Sequence, residues 1–240
     1  MDAKFRIETL SAITNPNQVV WLALHQDYSS EPVYNSPVPD EDKAGEIIVN
    51  RLLKGGRGHF GCLEHPQIVL NCCYFPHSTM QQLRTHRVGV SFDVQSFRYT
   101  SAHIFRVVDK EIAIEDVFYL RPVGYYRDRN GANYFYSHEV RQQDLDFCYK
   151  SATNYATAIK DRGFSEEHAR GLIPFDIRQH FVLSCNARSL MHLLDLRWKA
   201  DAQLEIQQFS ELLFAQFKLW MPQIADWYLV HRAKRARLSP

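Results

Sequence analysis

The second half of the chain is organised around IRQHFVLSCNARSLMHLLDLR, residues 177–197. Its first nine residues, 177–185, fit a strand or a helix equally well. Asn186 has the side chain that caps a helix, and the leucines that follow it recur at helical spacing. The pattern therefore predicts a helix that begins at Asn186 and runs through Arg197.

The flanking sequence alternates helical and strand-like segments. A helical pattern covers about 201–220 downstream of this stretch. Upstream, another covers about 139–160, and a short helix begins near Ser165. In the first half, the patterns predict strands at 4–14 and 66–75 and helices at about 18–25, 42–53 and 77–87, the second of which is stopped by Gly55-Gly56. A separate excursion covers 116–138 and turns at Asn130-Gly131. Because the order has no βαβ regularity, we expect an α+β fold with a mixed or antiparallel sheet flanked by long helices. One domain would span 1–240 and end in a basic tail over about 231–240.

Composition limits the classes of protein that the chain can represent. It has 240 residues, 45% of them hydrophobic and 23% charged, which is ordinary for a globular protein. The net charge is only +1, so any anion site must be a local concentration of charge. No apolar run reaches ~18 residues, and MDAKFRIETL has no signal-peptide core. Five cysteines without CxxC spacing argue against a disulfide scaffold or a zinc ribbon. We expect a cytoplasmic protein without a metal site or a membrane partner.

A basic segment, RTHRVGVSFDVQSFRYT, occupies residues 84–100. Its arginines and serines could surround a phosphate, because guanidinium groups match phosphate oxygens and hydroxyls complete the cage. The residues concerned are Arg84, Arg87, Arg98, Ser91 and Ser96. The alternative is a solvated basic helix end, which the helix dipole favours.

The helix predicted over 187–197 has one polar face. Arg188, His192 and Leu196 are spaced at i, i+4 and i+8, and Arg197 follows directly. Such a face suits a charged, flat molecule held between helices. The alternative is a set of surface arginines that pair with Asp195, Asp201 or Glu205, which contributes little stability.

A glycine-rich segment, GGRGHFGCLEHP, occupies residues 55–66. Its glycines allow a ligand to approach the backbone closely, and its histidines and Glu64 offer polar groups. No GK[ST] follows, which excludes a P-loop, and a simple loop with a satisfied histidine is the alternative. The chain also has no GxSxG nucleophile elbow and no GxGxxG after a strand. Only the tail is basic enough for nucleic acid, and a terminal basic run is usually a solvated end, so we expect no nucleic-acid partner.

Taken in order, these segments resemble the signatures of the flavin-dependent thymidylate synthases. HRVGVSFDVQSFRY is similar to that family's RHR-x7-S motif with Arg-Tyr just beyond, and GHFGCLEH is similar to its upstream flavin loop. ARGLIP and NARSLMHLLDLR…AQLEI resemble its C-terminal signature. The matches cover roughly residues 55–100 and 165–210.

The resemblance implies a fold, an activity and an assembly. The family's fold is α+β, and it forms homotetramers whose active sites are shared between subunits. The implied reaction is methylation of dUMP at C5 to dTMP, with methylenetetrahydrofolate as carbon donor, reduced FAD as hydride source and NADPH to recharge the flavin. The implied partners are therefore dUMP, folate, NADPH and further copies of the chain. Since the flavin supplies the chemistry, the absence of a nucleophile motif is expected.

The resemblance also assigns individual residues. The residues that it places at dUMP are Gln82, Arg84, Ser96, Phe97, Arg98, Arg170 and Arg197. Ser96, Arg98 and Arg170 would bind the phosphate, and Arg197 would polarise the pyrimidine as a catalytic residue. The residues placed at FAD are Gly61, Glu64, His86, Arg87, Val88, Asn186, Arg188, His192 and Leu196. His59, the second catalytic candidate, and Tyr99 would lie on the folate and nicotinamide side.

The chain departs from the family pattern at a few positions. Thr85-His86-Arg87 replaces Arg-His-Arg, so either Arg84 takes over through a local bulge or Thr85 truly replaces the arginine. Eight residues separate Arg87 from Ser96 where the family has seven, which puts the acidic position on Asp93 or Val94. His192 stands where asparagine is common, and Asp201 where histidine is common. Two alternatives follow, namely a related enzyme with another pyrimidine nucleotide or without methylation, and a non-catalytic nucleotide- or RNA-binding module.

Overall fold

A computed structural model of the chain describes residues 1–55, 58–128 and 130–235. The fold is α+β, and its α-helices are α1 (Pro16–Gln26), α2 (Glu41–Ile47), α3 (His77–Leu83), α4 (Phe97–Thr100), α5 (Ala102–Val108), α6 (His138–Lys160), α7 (Glu166–Ala169), α8 (Ala187–Arg197), α9 (Leu204–Trp220) and α10 (Pro222–His231). The strands are β1 (Arg6–Ala12), β2 (Gln67–Pro76), β3 (Val90–Val94), β4 (Gly124–Arg127), β5 (Asn133–Tyr136) and β6 (Arg178–Asn186). They form a four-stranded sheet of order β1-β2-β6-β3 and a two-stranded sheet of β4 and β5.

Contacts divide the chain into two compact units. The first unit comprises residues 1–5, 73–81 and 94–181, and the second comprises residues 6–72, 82–93 and 182–240. The division falls within β2 and β6, so each unit contains part of both strands. The single domain expected over 1–240 remains a prediction.

The undecided segment at 177–185 is a strand, β6. Phe181, Leu183 and Cys185 are buried, and the residues between them are only half-buried. This alternation has the two-residue period of a strand, which a helix cannot give. The strands predicted at 4–14 and 66–75 are likewise confirmed as β1 and β2.

Local capping signals explain where the predicted helices begin. The Asp40 side chain accepts a hydrogen bond from the Lys43 amide at 2.7 Å, so α2 begins directly after it. The helix predicted over 42–53 continues from α2 as a π-helix, Ile48–Leu53. Gly56, the second glycine of the predicted stop, lies outside the described residues.

Two helix predictions need correction. The helix predicted over 77–87 ends at Leu83, because the chain turns there and the His86 amide donates to the Leu83 carbonyl at 3.0 Å. Arg84, His86 and Arg87 therefore lie beyond α3 and not on its last turn. Helix α10, which starts with Pro222 in its first turn, was not predicted from the sequence. The last five residues of the predicted basic tail, 236–240, lie outside the described residues.

The excursion at 116–138 contains an antiparallel hairpin in the first unit. Gly124 pairs with Tyr136 and Arg127 pairs with Asn133, so β4 and β5 are in register. The Asp128 carboxylate accepts from the Asn130 and Ala132 amides, each at 2.8 Å, and this closes the turn. The turn predicted at Asn130-Gly131 is therefore confirmed.

The first unit buries a charged side chain as well as an apolar cluster. Arg178 is 7% exposed and donates to the Asp2 carboxylate at 2.6 Å. It also donates to the carbonyls of Tyr74 at 2.9 Å and Glu115 at 2.8 Å. A buried guanidinium is tolerated only when its donors are satisfied in this way.

The second unit has its core between the last three helices. Leu190, Leu193 and Leu194 of α8 are fully buried, as are Phe209, Leu213 and Phe217 of α9. Hydrogen bonds tie α9 to β1, since Gln216 donates to the Ile7 carbonyl at 3.1 Å. This packing fixes α8, which carries most of the candidate site residues of the second half.

Gly89 makes a close approach to the start of α8. Its φ is +65°, a left-handed conformation that residues with a side chain rarely adopt. A Cβ atom on Gly89 would lie 2.3 Å from the Asn186 amide nitrogen and 2.3 Å from the Ser189 hydroxyl. Only glycine fits this position without moving the helix cap.

We expect Gly89→Ala to destabilise the protein more than Gly58→Ala, a matched change at φ +77° in the same unit. Both substitutions strain the backbone by about 1 kcal/mol. Only Gly89→Ala adds a collision, worth roughly 2 kcal/mol more, because no atom of the described residues lies within 4 Å of a Cβ at Gly58. Urea unfolding measures the difference, and equal losses in the two variants would contradict the close approach.

Candidate functional site

In the second unit, several predicted flavin residues are joined by hydrogen bonds. Glu64, the last residue of the 3-10 helix Phe60–Glu64, accepts from the Arg188 guanidinium at 2.6 Å. Asn186 caps α8 by accepting from the Ser189 amide at 2.8 Å, and the Ser189 hydroxyl donates to the Val88 carbonyl at 2.8 Å. The glycine-rich segment, the basic segment and α8 thus meet around the first turn of α8.

The predicted helix face lies on α8. Arg188, His192 and Leu196 are all half-buried, so each presents part of its side chain to solvent. The His192 ring stands edge-on to the His86 ring, with 5.7 Å between centroids. His192 Nδ1 is buried and has no hydrogen-bond partner among the described residues. An unsatisfied buried polar atom of this kind is free to meet a ligand.

The surface-pairing alternative for these arginines is not what the structure shows. Within the described residues Arg188 pairs with Glu64, and Arg197 makes no ion pair. Asp195 is taken by Arg232, and Asp201 lies 3.6 Å from the Lys199 ammonium. The carboxylates near α8 in sequence are therefore not the partners of its two arginines.

Arg197, the last residue of α8, is held by three acceptors from residues 82–86. Its Nε donates to His86 Nε2 at 2.9 Å. Its Nη2 donates to the Gln82 carbonyl at 2.9 Å and to the Thr85 hydroxyl at 2.7 Å. All three acceptors are uncharged, so the positive charge of Arg197 is oriented but not neutralised. Burial lowers the pKa of Arg197, although an arginine remains charged in proteins.

His86 must be neutral to accept this bond. Burial, followed by the nearby charges of Arg197 and His192, lowers the pKa of His86 to about 4. The side chain is 7% exposed, which agrees with burial as the leading cause. With Nε2 as the acceptor, the hydrogen-bond pattern places the ring proton on Nδ1.

Gln82 is fixed by Gln203 and Glu205, and no contact between these residues and Gln82 was predicted from the sequence. Its side-chain amide donates to Gln203 at 2.6 Å, and Gln203 donates to Glu205 at 2.7 Å. Glu205 is only 1% exposed, and both Gln203 and Glu205 belong to the AQLEI part of the C-terminal signature. Arg84, by contrast, is exposed and makes no hydrogen bond among the described residues.

In the first unit, the predicted phosphate residues lie on or next to the neighbouring helices α4 and α7. Arg98 on α4 donates to the Glu167 carboxylate at 2.6 Å, and Arg170 follows three residues after Glu167. Arg170 is exposed and has no ion pair within the described residues. Ser96 precedes α4 and is exposed, so these three polar side chains are all accessible.

The two aromatic candidates of α4 differ in burial. Phe97 is half-buried, and its ring stands edge-on to Tyr155 with 5.5 Å between centroids. Tyr99 is 80% exposed, with the Arg98 guanidinium 5.3 Å from its ring centroid. The structure thus gives Phe97 a packing role in the first unit, and its contact with dUMP stays a prediction.

His59 lines a cavity that was not predicted from the sequence. The cavity has a volume of about 420 Å³, within the range of small-molecule sites, and is lined by Trp21, Leu24, His25, Tyr28, Ile47, Arg51, Leu52 and His59. His59 itself is exposed and stands edge-on to Tyr28, with 6.4 Å between ring centroids. Gly61, two residues on, is exposed, and no atom of the residues that the structure describes lies within 4 Å of the position of a Cβ there.

The cysteines are not arranged as nucleophiles. All five are free, and Cys185 is 1% exposed. Burial raises the pKa of Cys185 to about 12, so this thiol stays protonated.

The described residues hold no group of three His, Cys, Asp or Glu side chains that could bind a metal ion. None of the described helices is both long enough and apolar enough to cross a membrane.

Comparison with known proteins gives consistent matches over the whole chain. The sequence model of the family described as "Thymidylate synthase complementing protein" matches residues 9–223. A flavin-dependent thymidylate synthase of Halobacterium salinarum is 30% identical, over 98% of this chain and 100% of its own. One of Haloarcula marismortui is 29% identical, over 98% of this chain and 99% of its own.

Solved structures share the fold at lower identity. The UMP/dUMP methylase PolB of Streptomyces cacaoi, bound with 5-Br dUMP, has a TM-score of 0.74 and 22% identity over 98% of this chain and 97% of its own. The flavin-dependent thymidylate synthase ThyX of Helicobacter pylori, complexed with FAD and dUMP, has a TM-score of 0.65 and 18% identity over 88% and 92%. At these identities the likeness concerns the fold.

The low pKa of His86 predicts a pH-dependent stability. Between pH 6.5 and about 4 the unfolded chain binds a proton at this ring and the folded chain does not. The free energy of unfolding should therefore fall by roughly 3 kcal/mol from this group as the pH drops through that window, and should be unaffected by it above pH 6.5. His86→Gln keeps an acceptor that cannot titrate, so its urea-unfolding free energy should decline less over the same window. An identical decline in both proteins would show that His86 is not held neutral.

Proposed function

Because the chain belongs to the family of flavin-dependent thymidylate synthases, we propose that it methylates dUMP at C5 with methylenetetrahydrofolate as carbon donor and NADPH as reductant of its flavin. The observation that carries the proposal is the oriented but unneutralised charge of Arg197, beside a connected set of flavin candidates. A flavin enzyme needs binding and polarising groups of this kind and no protein nucleophile.

The flavin candidates of the second unit suit FAD chemically. When bound, reduced FAD would supply the hydride, as the reaction of the flavin-dependent family implies. Arg87 is exposed and has no ion pair among the described residues, so it can meet a phosphate. Val88 is 83% exposed and offers an apolar surface beside it, and the unsatisfied His192 Nδ1 offers a polar contact. Cationic, apolar and polar groups together match a cofactor with phosphates and a flat ring.

Arg197 is the candidate that polarises the pyrimidine. Its Nε and Nη2 are occupied, and its Nη1 makes no hydrogen bond within the described residues. Two N–H groups are therefore available for a pyrimidine carbonyl. A half-buried cation donating to that oxygen stabilises negative charge that develops on the ring and so favours reaction at C5.

Arg98, Arg170 and Ser96 of the first unit are the candidates for the nucleotide phosphate. Arg98 is paired with Glu167, and this pairing raises the pKa of its guanidinium. A phosphate dianion attracts the pair of arginines more strongly than one carboxylate does, so we propose that it displaces Glu167 from Arg98. His59 and Tyr99 stay assigned to the folate and nicotinamide side.

The assembly and location belong to the same proposal. We expect a homotetramer in which several chains share each active site. We also expect the enzyme to be cytoplasmic. None of the described helices could span a membrane. Size-exclusion chromatography with light scattering measures the assembly directly.

Release of tritium from C5-labelled dUMP tests the function. The purified protein should be yellow from FAD and should release tritium when methylenetetrahydrofolate and NADPH are both present. A parallel reaction with labelled UMP tests the alternative nucleotide. Two observations motivate it: Thr85 departs from the family motif, and the structural neighbour PolB is a UMP/dUMP methylase. Yellow protein that releases tritium from neither nucleotide would rule out methylation, and protein that cannot take up FAD would rule out the flavin site as well.

Arg197→Ala should separate the pyrimidine from the flavin. We expect tritium release to fall about a thousandfold, because a preorganised donor to the reacting ring is lost. FAD absorbance should remain largely unchanged, since the proposed partner of Arg197 is the nucleotide. Arg6→Ala, an exposed arginine of the same unit, is the control and should keep full activity. Parallel loss of FAD and activity would place Arg197 at the cofactor instead.

A further inference from the structure

Thr85 stands where the family motif has an arginine, and its side chain lies against Arg197. The hydroxyl oxygen is 2.7 Å from Arg197 Nη2. The same hydroxyl donates its proton to the Gln82 carbonyl at 2.8 Å, which itself accepts from Arg197 Nη2 at 2.9 Å. Three polar groups therefore close a triangle in which every bond is within normal hydrogen-bond length.

The triangle fixes the direction of the Thr85 hydroxyl. A hydroxyl has one proton, and here it is used on the Gln82 carbonyl. The oxygen lone pairs are consequently turned toward Arg197 Nη2 and do not rotate away. A charge-assisted bond to such a fixed acceptor is stronger than one to a freely rotating hydroxyl.

An arginine at position 85 cannot do the same. A guanidinium has five N–H donors and no acceptor, so it cannot receive a bond from Arg197. It would also bring a second positive charge to the position now held by an uncharged oxygen. An arginine at position 85 would therefore place a like charge beside Arg197 where the structure has an acceptor.

We infer that Thr85 is a positioning residue, which holds the guanidinium of Arg197 so that its Nη1 faces the pyrimidine; the inference rests on the proposed function. Nε–H and one Nη2–H form one edge of the planar guanidinium, which His86 and one of the two Nη2 acceptors occupy, and the other Nη2 acceptor takes the second Nη2–H, on the side shared with Nη1. With this edge fixed, the plane and the direction of Nη1 are fixed too. A donor that is oriented before substrate binds loses little conformational entropy in the transition state.

The three acceptors are not equivalent. The Gln82 carbonyl belongs to the backbone and the His86 ring is buried, whereas the Thr85 side chain is exposed. A substitution at Thr85 therefore removes a single acceptor without opening a cavity in the core. This makes position 85 the one place where the hold on Arg197 can be loosened in a protein that still folds.

The test compares Thr85→Val, Thr85→Ser and Thr14→Val in the tritium-release reaction with the FAD-loaded protein. Valine has nearly the shape of threonine without the hydroxyl, serine keeps the hydroxyl, and Thr14 is an exposed threonine of the same unit. We expect Thr85→Val to lower kcat about tenfold while the KM for dUMP changes less than twofold, because the lost contact acts on the reacting ring. Thr85→Ser and Thr14→Val should keep kcat within about twofold of the unaltered protein.

Specific outcomes would overturn the inference. A kcat of Thr85→Val equal to that of the unaltered protein would do so, and so would an equal loss of kcat in Thr85→Ser, since the hydroxyl would then be irrelevant. If the unaltered protein releases no tritium, the proposed function fails, and crystals of Thr85→Val give the separate answer. Displacement of the Arg197 guanidinium from the Gln82 carbonyl in those crystals would support positioning by Thr85, and an unmoved guanidinium would refute it.

Discussion

The junction at Asn186, where β6 ends and α8 begins, is the constraint on which the candidate site of the second unit depends. Its side chain caps the helix at Ser189, and Gly89 packs against this cap so closely that no side chain fits between them. The cap determines the residue at which α8 begins, and the buried leucines determine which face of the helix points into the core. Arg188 and Arg197 are nine residues apart on this helix, about 13 Å along its axis, so one anchored helix delivers a cation to each of two places.

The two arginines of α8 are satisfied in opposite ways. Arg188 faces the carboxylate of Glu64, which neutralises its charge. Arg197 faces a backbone carbonyl, a hydroxyl and a neutral imidazole, which direct its charge without cancelling it. An uncancelled, half-buried cation is costly to maintain unless a ligand uses it. The burial of His86 is essential to this arrangement, because a protonated ring would offer a like charge in place of an acceptor.

Much of the local structure could be predicted because its causes are local. Asp40 and Asn186 act as caps through atoms within three residues of themselves, and Gly131 serves a turn closed by Asp128. Two helix boundaries were not predicted. α3 ends at Leu83 in a turn that the His86 amide closes, and α10 begins with a proline, which marks the end of a helical region as readily as its beginning.

The sequence by itself determined the α+β fold class, the cap of α8 and the family motifs, because periodicity, capping and motif spacing are all properties of neighbouring residues. Only the tertiary structure decided the partners of the site residues. Arg188 meets Glu64 across 124 positions of sequence and Arg197 meets His86 across 111, and no pattern in either segment selects these pairs. In the sequence Thr85 only occupies a position where the family motif has an arginine, whereas in the fold it is an acceptor for Arg197. The physical reason is that a side chain's charge and donors are fixed by its identity, but which acceptor satisfies them is fixed by the packing that brings distant segments within about 3 Å.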